Sequence, residues 1–500
     1  MAVSTAVDLS AVARVVGVKT AFKDLRGGGV LFLPQRVAIV GQGSTSAVYG
    51  TTKRQVTSAL EAAQLYGFGS PIHLAALQLL PTNGDGVGTI PVTVYPLEDD
   101  VSGVASAGDI TPSGAATGAA SFVININNIQ SEQFAVAAGD TVATITAAMT
   151  AALDAALNLP MSATDNTTDV GLEAKWAGAS GNDLFIEVVA TSVDNSGITF
   201  AITQPTGGLI NPDVDDALTQ VGDVWETMVL NCLEIADTTT LDKFSNFGEG
   251  RWGALTRKPL IVFTGNTATT VTAATAVSDT RKTDRTNSQL VAPGSKDLPF
   301  AVAARQLARI VKVAQNNPPR DYGSQDADTL NPGDDGDQWT YVDRDVAVKK
   351  GSSTIEVKDG VINISDTVTF YHPSGDPSPA YRYVCDIVKL QNIIFNLNLI
   401  FATDEWDGAP LIPDDQPTIN SEAKQPKMAV AAANALIDSL GLNAIISDPK
   451  TAKENTLAQI SEQNPKRLDI ALTVQLSGNT NIISVDLNFG FYFGTATVVA

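Results

Sequence analysis

The sequence predicts a multi-domain chain that combines α/β and α+β units. Five hundred residues exceed the roughly 250 to 300 at which a single core stops growing. Strand and helix patterns alternate in two separate stretches, each the signature of an α/β layer. Between them, residues 101–209 carry ten acidic residues against one basic residue, Lys175, and read as strands set apart by Gly, Asn, Asp and Thr. The whole chain has 32 basic and 54 acidic residues, net −22, which disfavours nucleic acid and acidic lipid as partners. Hydrophobic residues at 44% and charged residues at 17% suffice for real cores rather than disorder.

Taken in order, residues 1–20 are small, β-branched and mostly uncharged, an extended arm set off by Gly27, Gly28 and Gly29 as a hinge. Met1 to Val16 has no basic run ahead of an apolar one and its first charge is Asp8, so it does not read as a secretory signal. No apolar stretch approaches the roughly 18 to 20 residues of a membrane span. A soluble protein made in a cytoplasm is expected.

Gln35 to Gly41 is a short apolar run closed by Gly41-Gln42-Gly43-Ser44, a buried strand entering a turn. Lys53 to Tyr66 has helical spacing with Val56, Leu60 and Ala63 inward, Pro71 to Leu80 is a second helix, and Ile90 to Pro96 a strand. In the 101–209 insertion, Ala120 to Ile126, Leu184 to Ala190 and Ile198 to Ile202 are strand-like, and Ala147 to Leu157 is a short helix. Val214 to Leu233 is expected to be helical, Lys258 to Thr264 a strand and Pro299 to Gln315 a helix. In that last helix Ala303, Leu307, Ile310, Val311 and Ala314 share one face, and Arg305, Arg309 and Lys312 share another. The basic stripe is either a wet face or a contact with an acidic patch on a neighbouring copy.

Residues 321–345, with eight acidic residues and one basic, are expected to be a linker loop. Thr354 to Lys358 and Val361 to Ile364 flank Asp359-Gly360, a hairpin with type I′ turn chemistry. Helices follow at Val384 to Phe401 and Glu422 to Leu440. The chain then alternates apolar residues at even positions of Leu468 to Leu476 and at odd positions of Ile483 to Phe493, a hairpin joined by Ser477 to Thr480.

Chemistry-bearing patterns are sparse. Gly41-Gln42-Gly43 lacks the third glycine of a dinucleotide fingerprint, position 46 being Ser46, and reads as a structural turn. No Walker A loop and no GxSxG elbow occurs, and a catalytic triad would have to use His73 or His372. His73 heads an apolar helix and reads as a cap or core residue; His372 sits in a turn and reads as an exposed loop residue. Cys232 and Cys385 lie far from any CxxC spacing and read as free buried thiols, a disulfide between them being the alternative. Asn331 to Asp337 superficially resembles a calcium loop, but the twelfth position of that template is Val342 rather than Glu. No catalytic, cofactor or metal residues are assigned, and a structural or assembly protein is what remains.

Several stretches then resemble the tail sheath proteins of contractile bacteriophage tails. They are Arg36 to Gly43 with Ala62 to Ile72, Gly178 to Asp183 in the insertion, and Gly207 to Asp213 with Gly250 to Gly253 and Val262 to Thr264. The order of the C-terminal helices, loop and strands is similar as well. The resemblance implies a subtilisin-like middle domain without protease activity, formed by residues 21–100 and 210–320. The 101–209 insertion lies outside it, followed by the 321–345 linker, a C-terminal α+β domain over 346–481, and a terminal strand or arm over 482–500.

It further implies hexameric rings stacked into a helical sheath around a tail tube, with baseplate and tail terminator proteins as partners, in a virion assembled in a host cytoplasm. An arm of about 16 extended residues spans on the order of 50 Å, enough to reach another subunit. The candidate inter-subunit strands carry Val3, Val7, Val12 and Val15 at one end and Ile483, Val485, Leu487, Phe489 and Phe491 at the other. Candidates for tube attachment are Lys424, Lys427, Lys450, Lys453, Lys466 and Arg467, a local basic excess. A subtilisin-like hydrolase and a surface or adhesin protein are the rival readings.

Overall fold

The computed structural model describes residues 30–376, 379–487 and Phe489. It begins with β1 (Val37–Gln42), β2 (Arg54–Val56), α1 (Ala59–Tyr66), α2 (Pro71–Leu79) and β3 (Val92–Leu97). The helix expected over Lys53 to Tyr66 is thus split: Ser58, in extended conformation, caps α1 by accepting from the Glu61 amide. Residues before that cap pair as an edge strand, and Leu60 lies exposed rather than inward.

The insertion follows as β4 (Ala105–Gly114), β5 (Ala120–Ile126), β6 (Ile129–Gln130), β7 (Phe134–Val136), α3 (Val142–Ala155), β8 (Met161–Asp165), β9 (Val170–Ala177), β10 (Ile186–Ala190) and β11 (Ile198–Thr206). Its strands form two antiparallel four-stranded sheets, β10-β5-β6 with β7 against β5, and β11-β4-β9-β8. Phe122, Phe134 and Phe200 meet between them at ring distances of 5.0 to 6.0 Å.

The α/β layer resumes with α4 (Asp215–Val221), β12 (Met228–Asn231), α5 (Thr238–Trp252), β13 (Ile261–Asn266), α6 (Val271–Thr275), β14 (Asn287–Val291) and α7 (Pro299–Asn316). The single helix expected over Val214 to Leu233 is a correction: α4 ends at Gly222 with φ 54°, and Met228 to Asn231 form an inner strand. A short run buried on both faces carries no period that separates strand from helix. The six-stranded sheet runs β14-β13-β12-β1-β3-β2, parallel throughout except for β2. Alternate residues bury on opposite faces. Val37, Ile39, Met228, Leu230, Ile261 and Phe263 pack with α2 and α7, whereas Ala38, Val40, Val229 and Val262 pack with α4 and α5.

Beyond α7 come α8 (Tyr341–Lys349), β15 (Thr354–Lys358), β16 (Val361–Asp366), α9 (Val384–Phe401), α10 (Pro426–Leu442), β17 (Ile446–Ser447), α11 (Pro449–Glu454), β18 (Leu457–Ile460), β19 (Leu468–Ala471) and β20 (Gln475–Leu476). The β15–β16 turn has Asp359 at φ 52° and Gly360 at φ 79°, the left-handed pair that a type I′ turn requires. The 321–345 span is not a free loop. Tyr322, Ala327 and Leu330 are buried, Ala327 donates its amide to Ile362 O, and α8 begins within the span on a capping box of Thr340 and Asp343.

The expected terminal hairpin is also redrawn. β19 pairs with β18 and β20 with β17, while Leu472, Val474 and Leu476 pack partly buried on the α9–α10 core. Residues 477–487 form no strand. At 18 residues α9 is long and apolar enough to match a membrane span, contrary to expectation, yet half of it is buried inside the protein and its polar side chains bond to protein backbone.

Candidate functional site

In a doubly wound sheet the ligand crevice lies where the strand order reverses, at the carboxyl ends of the strands. Here that point is between β1 and β12, and the base of the insertion packs against the turn after β1. Gln42 Nε2 donates to Ala177 O and to Asp99 Oδ1, both at 2.5 Å, and the Thr45 amide donates to Lys175 O at 2.8 Å. A Cβ on Gly41 would stand 2.9 Å from the Cys232 Cβ, and one on Gly43 would stand 2.3 Å from the Tyr49 ring. Tyr49 Oη accepts from the Gly43 amide and donates to Leu97 O, and burial pushes its phenol up to about 12. The two glycines therefore serve close packing of a turn.

His73 is a core residue. Its Nδ1 accepts from the Gly69 amide at 2.9 Å, and burial, helped by the Lys175 charge, lowers it to about 4. His372 is buried rather than exposed: Nδ1 lies 2.6 Å from Phe370 O and Nε2 3.5 Å from Asp279 Oδ1. Cys232 and Cys385 are both free and buried. Among the described residues no group of three or more His, Cys, Asp or Glu side chains is placed to hold a metal ion. At the seam between β12 and the insertion, burial together with the charges of Asp183 and Asp237 pushes Glu234 up to about 7.

The basic stripe of α7 turns inward. Arg305 is fully buried and pairs with Asp85 and Asp328, and Arg309 pairs with Asp85 at 2.5 Å, Asp326 and Asp328 at 3.2 Å. Reading Arg305 and Arg309 as a surface for a neighbour is therefore corrected: they tie the 81–88 and 326–330 loops to α7. The partners were invisible in sequence because they lie more than 200 positions upstream and in the supposed linker. Lys312, 3.5 Å from Asp85, is the member left half-exposed.

Assembly candidates concentrate on the C-terminal domain. Lys424 is buried, held by Glu405 at 2.6 Å and over the Trp406 ring, and Lys453 and Arg467 pair with Asp438 and Asp469 within the chain. Lys427, Lys450 and Lys466 are exposed. Ile483, Val485, Leu487 and Phe489 are 77, 76, 76 and 85% exposed, apolar side chains on the surface. Elsewhere in the domain β18 and β19 form a two-stranded ribbon, an arrangement marginally stable by itself in water. Val3, Val7, Val12, Val15, Gly27, Gly28, Gly29 and Phe491 lie outside the described residues.

One feature escaped the sequence reading. Residues 30–35 run along α9: Leu33 N donates to Asn392 Oδ1 at 2.8 Å, Leu31 N to Asn396 Oδ1 at 3.1 Å, and Asn396 Nδ2 back to Leu31 O at 2.9 Å. Val30 N donates to Ser439 Oγ on α10 and Gln35 N to Gln315 Oε1 on α7. The available signal was a pair of asparagines four apart on a largely apolar helix.

No protein-family model matches the chain. It is 23% identical, over 87% of its length and 88% of the relative's, to the Mu-like prophage FluMu tail sheath protein of Haemophilus influenzae. Its fold resembles a chain in the anti-feeding prophage baseplate in the contracted state, with TM-score 0.50 and 10% identity over 95% of this chain and 99% of that one. A sheath tail protein of Desulfitobacterium hafniense aligns at TM-score 0.45 and 13% identity, over 92% of this chain and 100% of that one.

Proposed function

We propose that the chain is the structural subunit of a contractile tail sheath. The observation that carries this reading is the match, over nearly the whole of both chains, to a prophage tail sheath protein. Copies assemble as six-membered rings stacked into a helix around a tail tube, bounded by baseplate and terminator proteins, in the tail of a phage or phage-like particle. The middle domain (21–100 and 210–320) is subtilisin-like and structural rather than catalytic, with the insertion (101–209) on its outside and the 346–481 domain facing the tube.

Physical chemistry supports the assignment. Alternating apolar residues exposed at Ile483, Val485 and Leu487 are suited to strand addition between copies. Head-to-tail contacts of that kind do not close on themselves and so build helices. The terminal arms, with Val3 to Val15 at one end and Ile483 to Phe491 at the other, link neighbours, and Gly27 to Gly29 supply a hinge. The extended lattice is kinetically trapped and the contracted one lower in free energy, with rigid domains rotating between linked arms. Of the basic candidates, Lys427, Lys450 and Lys466 are those whose exposure suits tube attachment.

Negative-stain electron microscopy of the concentrated full-length chain tests the proposal. Hollow cylinders or stacked six-fold rings are expected. Particles that stay monodisperse even with cognate tube and baseplate added would overturn it.

A further inference from the structure

We infer that Lys389 is the positioning residue that fixes where, and in which direction, the C-terminal strip leaves the body of the protein; this rests on the sheath reading. Lys389 sits on α9 with no exposed surface. Its ammonium donates to Asp386 Oδ1 at 2.8 Å, to Ser477 O at 2.6 Å and to Asn479 Oδ1 at 2.7 Å, so all three donors are used and two of them grip the tail.

Asn479 extends the knot by donating Nδ2 to Pro319 O, just past the end of α7, at 2.8 Å. Ser477 closes it from the other side, its amide donating to Ile445 O and its hydroxyl to Ala444 O. Three separate parts of the fold thus converge on residues 477–479. Within a few residues beyond them, Ile482 to Leu487 present their apolar side chains to solvent.

A buried ammonium is an expensive way to fill space, because its desolvation must be offset by well-placed partners. An apolar side chain of equal length would occupy the same slot. What the ammonium adds is direction: two hydrogen bonds to the tail, with the third to Asp386 fixing the ammonium, define one exit path for the chain. Strand pairing demands such definition, since a one-residue slip moves every apolar side chain of the strip to the wrong face. A strip rooted at one point reaches a neighbouring sheet in one register, and any pull on the tail during contraction passes into α9.

The test uses the full-length chain with Lys389→Met, Asn479→Ala and Asn479→Asp. Asn479→Asp keeps an acceptor for the ammonium but loses the donor to Pro319 O. Two readouts are needed: amide exchange across residues 477–481 in the monomer, and cylinder formation by electron microscopy. Lys389→Met and Asn479→Ala should raise exchange at 477–481 by about tenfold or more and abolish cylinders while cooperative melting persists, and Asn479→Asp, which keeps the bond to Lys389 and loses the one to Pro319, should raise exchange less than Asn479→Ala. If Lys389→Met does not melt cooperatively, Asn479→Ala decides. Wild-type cylinders from both disruptive variants, or unchanged exchange at 477–481, would overturn the inference. Failure of the wild type to assemble would instead overturn the sheath reading, and the exchange measurement alone would then judge the knot.

Discussion

Replacing Asn392 and Asn396 together by leucine removes the three side-chain hydrogen bonds that hold residues 31–33 against α9. Each is a neutral bond contributing about 1 kcal/mol net, and the Leu33 amide, on a buried residue, loses its acceptor and falls at the costlier end of the range. Leucine is close to asparagine in shape, so little of the loss comes from a cavity. A local destabilisation of about 2 to 3 kcal/mol follows, which at 1.4 kcal/mol per decade is roughly a 30- to 150-fold rise in amide exchange at Leu31 and Leu33. The measurement is native-state exchange followed by mass spectrometry on the segment spanning residues 30–36. The buried α7 helix, around Leu307, serves as internal reference and should keep its protection. Exchange at Leu31 and Leu33 that does not change would mean that the segment is held by the packing of Val30 and Phe32 on the α9–α10 core, and that the asparagines contribute nothing to it.

Three further outcomes follow from the geometry. Glu234 is pushed up from 4.5 to about 7, so the folded state holds a proton that the unfolded state has released, and stability falls as pH rises from about 4.5 to 7; Glu234→Gln should flatten that slope and raise stability at pH 8 by about 1 to 3 kcal/mol in thermal melts. Asp85 is the opposite case. Hydrogen bonds and charges from Arg309 and Arg305 hold its carboxyl far below the usual 3.8, so its stabilisation is present above that value and lost as pH falls below it; Asp85→Asn should cost about 1 to 2 kcal/mol at pH 7 in urea titrations and less at low pH. In the exposed strip, Val485→Asp with Leu487→Asp should leave the monomer's melting within about 0.5 kcal/mol of wild type while abolishing cylinders seen by electron microscopy, and cylinders of normal length would remove the strip from the assembly contacts.

Legibility in the sequence followed the physics of each element. The β15–β16 hairpin was readable because Asp359-Gly360 supplies two left-handed residues that few other pairs tolerate. Likewise α7 was readable because its apolar period persists over 18 residues. By contrast β12 was not, since Met228 to Asn231 is buried on both faces and a short apolar run carries no period. The α7 arginines look like a wet stripe until Asp85, Asp326 and Asp328 are folded against them. In the C-terminal domain the apolar alternation marked Leu472, Val474 and Leu476, which pack on the core, yet it named the wrong strand partners. Alternation determines which face is buried and is silent on which chain lies alongside.

The polar residues of α9 bring these threads together. Lys389, Asn392 and Asn396 are spaced three and four apart and so share one face of a largely apolar helix. On a membrane span or a simple core helix such a stripe would be a cost without return. Here every member bonds to a segment from a distant part of the chain: Asn392 and Asn396 hold residues 31–33, and Lys389 holds residues 477–479. One helix face therefore roots both residues 31–33 and the segment that precedes the exposed residues 482–487. In a sheath whose copies are linked through both arms, the two roots would move as a single rigid piece. A pull arriving through one arm would then pass to the other along α9 without first being absorbed by the sheets of the middle domain. The same stripe was the signal that sequence reading had available and passed over, because a buried polar residue looks like a defect until its distant partner is known.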